Sequence, residues 1–423
     1  MQEDFLHYLW LHKKLDMLHL QTTQYERLEI VNVGQHNHNA GPDFFNGQVR
    51  IADQLWAGNI EIHIKSSDWF VHGHEQDAAY DNVILHVVFE HDTEIFRSDN
   101  STIPTLELKS FIASEILDNY QKLFSSKNKW INCEQDFAEV DEFILKNWQE
   151  RLYFERLERK SKTIENILKS SKNDWEAVLF KLLAKNFGLK VNGLAFESVA
   201  NSVEFSVVRK SSSKIEQLEA LLFGLAGLLE KESSTSYYET LKKEYQFLKQ
   251  KFQLDNLGVS NVQFFRLRPP NFPTIRLSQL ANLYHREPQL FSKVISAENL
   301  DAIYELFNIK TSGFWETHYT FDKTSKQSTK KITKAFIDLL VINTILPLKF
   351  CYAKHKGASI DENILEIVSS LSSEKNTIID GFNQLKPCST SALQSQALIQ
   401  LKIEYCDKNK CLQCAVGNAL LTK

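Results

Sequence analysis

The chain has 423 residues, a formal net charge of −4 and a pI near 6.4, with 43% hydrophobic and 24% charged residues. That is the composition of an ordinary globular protein, too long for one small core, so two or three domains are expected. The acidic balance argues against a protein that coats nucleic acid nonspecifically, and six cysteines are too sparse for a disulfide scaffold.

The opening MQEDFLHYLWLHKK places acids first and basic residues after its apolar stretch, the wrong order for a secretory signal. No uninterrupted apolar run approaches the roughly 20 residues needed to span a bilayer, so no membrane association and a cytoplasmic location are expected. Residues 3–19 carry Phe5, Leu6, Leu9, Trp10, Leu15 and Leu18 at helical spacing, which predicts one amphipathic helix. From Arg27 to Glu107 the pattern changes to strands, LEIVNVG, GQVRIA, WAGNIEIHI, VILHVVFEH and TLEL, separated by Gly, Asp and Asn turn signals. A helical turn is expected over 77–81. This order outlines an α/β sandwich.

Beyond about residue 135 the chain reads as helical. A long helix over 140–169 is followed by NDWEAVLFKLLAKNFG with Asn173 as cap and Gly188 as stop, and by further helical runs to SALQSQALIQLKIEYC. The clusters at 210–214 and 324–331 are expected to be exposed connections, and RLRPPNFP near Arg266 to Pro273 cannot be helix. The expected organisation is an α/β module over 1–125 and a helical body over 126–423 that ends in a cysteine cluster.

Charge divides along the same line. Residues 1–110 hold 17 acids against 7 Lys and Arg, about −10, which leaves about +6 for the rest. A metal in the acidic part would offset the repulsion and draw in a phosphate, or the two parts simply attract each other.

The chemistry-bearing pattern is Gly41-Pro42-Asp43-Phe44, eighteen residues before the strand Asn59-Ile60-Glu61-Ile62-His63-Ile64-Lys65. Side chains alternate along a strand, so Glu61, His63 and Lys65 share one face and Ile60, Ile62 and Ile64 the other. If Asp43 begins the neighbouring strand, two carboxylates meet on adjacent strands and supply hard oxygen ligands for Mg²⁺ or Mn²⁺. His63 or Lys65 would then orient or deprotonate water. A second candidate is His72 and His74, two apart, with Asp68 or Asp77 completing a zinc or manganese site, or with the two histidines contacting substrate from the side. His86, in the apolar VILHVVF, reads as a hydrogen-bonded core histidine.

A third constellation is Cys406-x4-Cys411-x2-Cys414, with a fourth ligand from Cys133, Cys388 or His355. Zinc, an iron–sulfur cluster and plain thiols are all compatible with it. Arg266 and Arg268 flank the proline turn as candidate phosphate contacts, while Arg151, Arg156, Arg159, Lys160 and Lys162 read as a solvated helix face. Trp56 reads as hairpin packing, and His36 and His38 as turn residues beside Gly41.

The runs NHNAGPDFFNGQVRIADQLWAGNIEIHI, EALLFGLAGLL, RPPNFPTIRLSQLA and SQALIQLKIEYCDKNKCLQCAVGNALL together resemble an uncharacterised bacterial family, domain-of-unknown-function family 2851, over essentially the full chain. That resemblance carries no activity. Pro42-Asp43 followed by Glu61-Ile62-His63 also resembles the PD-(D/E)xK nuclease pattern, which implies a restriction-endonuclease-like sandwich, a metal on Asp43 and Glu61, and cleavage of DNA or RNA. Glu3 or Asp4 on the first helix can add an acid, as in some members. The usual Lys is here His63, so a nuclease-like binding or scaffold protein without the chemistry is the rival expectation. A distant cysteine joined to three near the C-terminus is similar to helicase-associated nucleases stapled by an iron–sulfur cluster, although the order along the chain differs. Neither substrate nor oligomeric state is legible.

Overall fold

The computed structural model describes residues 1–125, 129–230, 233, 235–359 and 361–423. It divides into two compact units, Met1–Trp148 with Gln384–Pro387 and Gln400–Lys423, and Gln149–Asn383 with Cys388–Ile399. The N-terminal region is built on a mixed sheet and the chain after it is mostly helical. The boundary expected after residue 125 abuts residues 126–128, which lie outside the described residues. The units divide at Trp148, and the terminal stretch 400–423, expected in the helical body, belongs to the sheet unit.

The sheet has six strands, β1 (Leu28–Asn32), β2 (Gln35–His36), β3 (Phe44–Ile51), β4 (Gln54–Lys65), β5 (Val83–Glu90) and β6 (Thr105–Glu107). Its order is β1-β3-β4-β5-β6, with β2 beside β3. The pairs β1/β3 and β3/β4 are antiparallel, while β4/β5 and β5/β6 are parallel. Parallel neighbours need a crossover. The one between β4 and β5 holds the short helix α1 (Asp68–Val71) and 3-10 turns at His74–Gln76 and Ala78–Tyr80, the last where a turn was expected.

Ile60, Glu61, Ile62 and His63 are all buried, so β4 is covered on both faces and its polar residues are inside. The face shared by Glu61, His63 and Lys65 is therefore not a solvent-facing row. Of these three residues only Lys65, at the strand's end, is exposed. The N-terminal helix, Glu3–Leu11, packs against β4. It is shorter than the apolar spacing suggested, because the chain leaves the helix at His12, enters a left-handed conformation at Lys13 (φ 50°) and leaves Leu18 82% exposed.

In the second unit the long helix is Glu142–Ser170, which begins in the first. Asp174, not Asn173, caps Trp175–Phe187 by accepting the Glu176 and Ala177 amides, while Asn173 takes a left-handed conformation (φ 63°). Gly188 caps the end of that helix as expected, and a separate helix, Leu189–Asn201, follows at once. The run 334–356 is helical throughout, with a π turn at Val341–Ile345 just before Pro347, whose missing N–H disrupts the regular ladder. This helix is long and apolar enough to cross a membrane, which the sequence reading did not anticipate, and 67% of its apolar window is buried, as in a core helix. On the long helix Arg156 and Lys160 are half-buried, not solvated. Burial lowers Lys160 to about 7, and its Nζ donates to Asn343 Oδ1 at 3.0 Å.

Gly47 and Gly58 face each other across β3 and β4. A Cβ on Gly58 would lie 2.5 Å from Ile84 Cγ2 and 2.7 Å from the Asn82 carbonyl oxygen. The backbone atom cannot give way cheaply, so Gly58→Ala should destabilise the sheet unit by about 1–3 kcal/mol. Thermal or denaturant unfolding measures this, and an unchanged stability would show that β4 and β5 do not pack this closely.

Candidate metal centre

Asp43 immediately precedes β3, and the Phe44–Ile60 pairing sets it opposite Glu61 on β4. The two carboxylates meet as the sequence suggested, but each is tied to the other strand's backbone. The Asp43 amide donates to Glu61 Oε2 at 3.1 Å, and the Ile62 amide donates to Asp43 Oδ2 at 2.9 Å. His7, one helical turn beyond Glu3, brings its Nε2 within 3.2 Å of the same Asp43 oxygen. The other Glu61 oxygen, Oε1, faces the histidines.

There His63 Nε2 is 3.4 Å and His74 Nε2 3.3 Å from Glu61 Oε1, and His72 Nδ1 is 3.1 Å from His63 Nε2. One ring nitrogen from each of His63, His72 and His74 lies within 4.8 Å of the others. His63 comes from β4, while His72 and His74 come from the crossover, where Gly73 between them adopts a left-handed conformation (φ 72°) that turns both rings inward. Glu61, His63 and His74 are buried and His72 is exposed, so the cluster reaches solvent on the His72 side. His74 Nε2 is buried with no hydrogen-bond partner among the described residues, despite its closeness to Glu61. A buried, unpartnered nitrogen aimed at two other imidazoles and a carboxylate is the donor set a transition metal takes, and it is a poor match for Mg²⁺, which prefers oxygen.

A second layer sets the rings. His63 Nδ1 is 2.9 Å from His86 Nε2. If His63 donates from Nδ1 to His86, its Nε2 lone pair is free to face the cluster, the arrangement that metal-binding histidines use. His86 is buried, pairs in register with Glu61 and touches Trp69 edge-on, so it is the hydrogen-bonded core histidine expected, with the added task of holding His63. Tyr80 stacks on His74 at 3.7 Å.

Electrostatics follow burial. Burial first, then His74 and His72, push His63 down to about 3, and burial holds His86 well below its ordinary value. Burial raises the Glu61 carboxyl, the His74 contact opposes this, and the Asp43 charge adds to the rise. Burial lowers His7, but its hydrogen bond to Asp43 and the charges of Asp43, Glu3 and Glu61 outweigh that and raise it overall. Burial, then Glu61, Asp77 and Asp43, push Tyr80 up to about 12.

Other expected site residues lie elsewhere. Lys65 is exposed and its amide is fixed by Asp68 Oδ2, while Asp77 caps the turn at Ala79, so neither acid completes a site with His72 and His74. Trp56 pairs with Val49 across the β3/β4 hairpin, as expected of hairpin packing, and His36 stacks on Phe44. Arg266 and Arg268 are exposed residues of the second unit, with Arg266 in a left-handed conformation against Phe265. Glu3, a named candidate, has its pKa raised by burial and by Asp43. His7 was not singled out, although its spacing of four from Glu3 was a readable signal.

The family model for a protein of unknown function (DUF2851) matches residues 3–377, and the chain belongs to that family. No curated protein and no solved structure matches it.

A histidine held neutral in the fold but protonated when unfolded makes the unfolded state the stronger proton binder between the two pKa values. With metal chelated, stability should therefore be highest above about pH 6.5 and fall as pH drops towards 3, by up to a few kcal/mol from His63 with His86 acting in the same direction. Unfolding titrations across that range test this, and a flat profile would show that His63 titrates as if exposed.

Proposed function

We propose that the chain is a metal-dependent hydrolase of phosphodiesters, acting on DNA or RNA, whose ion is held by His63, His72 and His74 beside Glu61. The observation that carries the reading is the convergence of those three imidazoles on one carboxylate at a solvent-reaching edge. Zinc or manganese fits this donor set better than magnesium. The phosphodiester part rests on the arrangement around it: an Asp opening β3 opposite a Glu on β4, and a meander continued by parallel strands, which resembles the nuclease pattern and a restriction-endonuclease-like sandwich.

A bound divalent ion supplies Lewis acidity towards a substrate oxygen and towards water. The chain's own residues do the rest. His86 fixes the His63 ring, and Glu61, whose proton affinity burial raises, is placed to accept a proton at Oε1. Asp43 aligns the head of β3 with β4 and holds His7 towards its protonated form, which sets a positive group beside an anionic substrate. The Mg²⁺ arrangement on Asp43 and Glu61 has weaker support, because Asp43 Oδ2 already serves an amide and His7. The second reading, a nuclease-like scaffold without chemistry, is favoured by the 2% exposure of His63.

The test is cleavage of labelled single-stranded and duplex DNA and RNA with Zn²⁺, Mn²⁺, Mg²⁺ or EDTA. His72 is exposed, so His72→Ala should fold normally and lower metal-dependent cleavage by about 100-fold or more, with Glu61→Gln also inactive. Full activity in His72→Ala with loss in Asp43→Asn would move the ion to the carboxylate pair. No cleavage of any substrate with any ion would leave the scaffold reading.

A further inference from the structure

Cys133 and, far along the chain from it, Cys406, Cys411 and Cys414 line one cavity in the first unit, otherwise walled by residues such as Ile131, Phe137, Leu401 and Val416. All four are free thiols, and Cys133 and Cys414 are buried. Cys388 and His355, the other candidate fourth ligands, belong to the second unit. The local structure serves the sulfurs. Cys406 ends a π turn, Cys411 opens a 3-10 turn, and Cys414 is the N-cap of the terminal helix Ala415–Leu421. The amides of Val416 and Gly417 and the Trp148 side chain point at the Cys414 sulfur, and Asn132 Nδ2 donates to Cys411 Sγ at 3.4 Å. Burial pushes all four thiols up, Cys414 to about 11, and the donors aimed at the sulfurs of Cys411 and Cys414 act against that rise. A Cβ on Gly417 would meet the Cys411 carbonyl at 2.1 Å, so the knuckle closes only with glycine there.

We propose that Cys133, Cys406, Cys411 and Cys414 bind a soft metal as four thiolates, either one zinc ion or one iron–sulfur cluster. Binding releases the thiol protons to solvent and requires no oxidant. A cluster brings its own iron and sulfide. Four sulfurs lining one cavity, contributed by two chain segments, satisfy the ligand count of either group, whereas an apolar core would be better filled by aliphatic side chains. The centre clasps the terminal segment to the sheet unit. The Cys411–Gln413 turn packs on the N-terminal helix that carries Glu3 and His7, and the terminal helix packs on the helix Ser114–Phe124. This proposal stands independently of the histidine centre.

The test is elemental analysis of the full chain, purified without a histidine tag and without oxygen, together with acid-labile sulfide and a visible spectrum. Wild type should carry, besides any ion at the histidines, one zinc per chain, or iron with matching sulfide and visible absorption. That metal should be absent from Cys411→Ser and Cys414→Ser and retained in His72→Ala. Should the serine variants fail to fold, a mercurial reagent added to wild type should release the metal in step with thiol titration. Wild type that carries no such metal, or that loses none to the mercurial, or whose four cysteines titrate as free thiols or form disulfides, would overturn the proposal.

Discussion

The reciprocal bonding of Asp43 and Glu61 holds the rest of the site in place. Each carboxylate accepts an amide from the opposite strand, Asp43 N–H to Glu61 Oε2 and Ile62 N–H to Asp43 Oδ2. Hydrogen bonds to a charged partner contribute about 1.5–3 kcal/mol each, and here they also fix geometry. With one oxygen spent on the backbone, Glu61 can present only Oε1 inward, and that oxygen meets His63 and His74. The same pairing sets the register of β3 on β4 and gives His7 its partner. The candidate site and the fold thus share one pair of side chains, and of the three clustered histidines only His72 is exposed.

Much of this was legible. Period-two alternation and turn residues located β1, β3, β4, β5 and β6 to within a few residues, and the eighteen-residue gap brought Asp43 to Glu61. The burial of β4 on both faces was not legible, because E-x-H-x-K written in a strand looks the same whether its polar side meets water or an overlying layer. That ambiguity bears on Lys65, which lies exposed at the strand's end, and on His63, which is a buried member of a cluster beside His86. His72 and His74 were singled out as a pair, but their partners were sought among nearby acids. The actual neighbours, His63 and Glu61, come from a strand that precedes them across a turn, and only the parallel crossover brings them together.

Long-range closure was harder still. Nothing in local periodicity says that 400–423 returns to the sheet unit; Cys133 was one of three candidates beside Cys388 and His355 for a fourth ligand, and it lines one cavity with Cys406, Cys411 and Cys414. Helix ends were misjudged where a single backbone conformation decides them, as at Lys13 after the first helix and at Asn173 before Asp174. The helical body was readable as helices, although burial of Arg156 and Lys160 shows that a charged stripe is not always a wet one.

The most direct test of the central claim is an anomalous difference map from crystals grown with zinc. A peak should lie among His63 Nε2, His72 and His74, near Glu61 Oε1, distinct from any peak at the cysteines, and it should vanish in His72→Ala. Density for an ion between Asp43 and Glu61 instead, or at the cysteines alone, would contradict the assignment of the metal to the imidazole cluster.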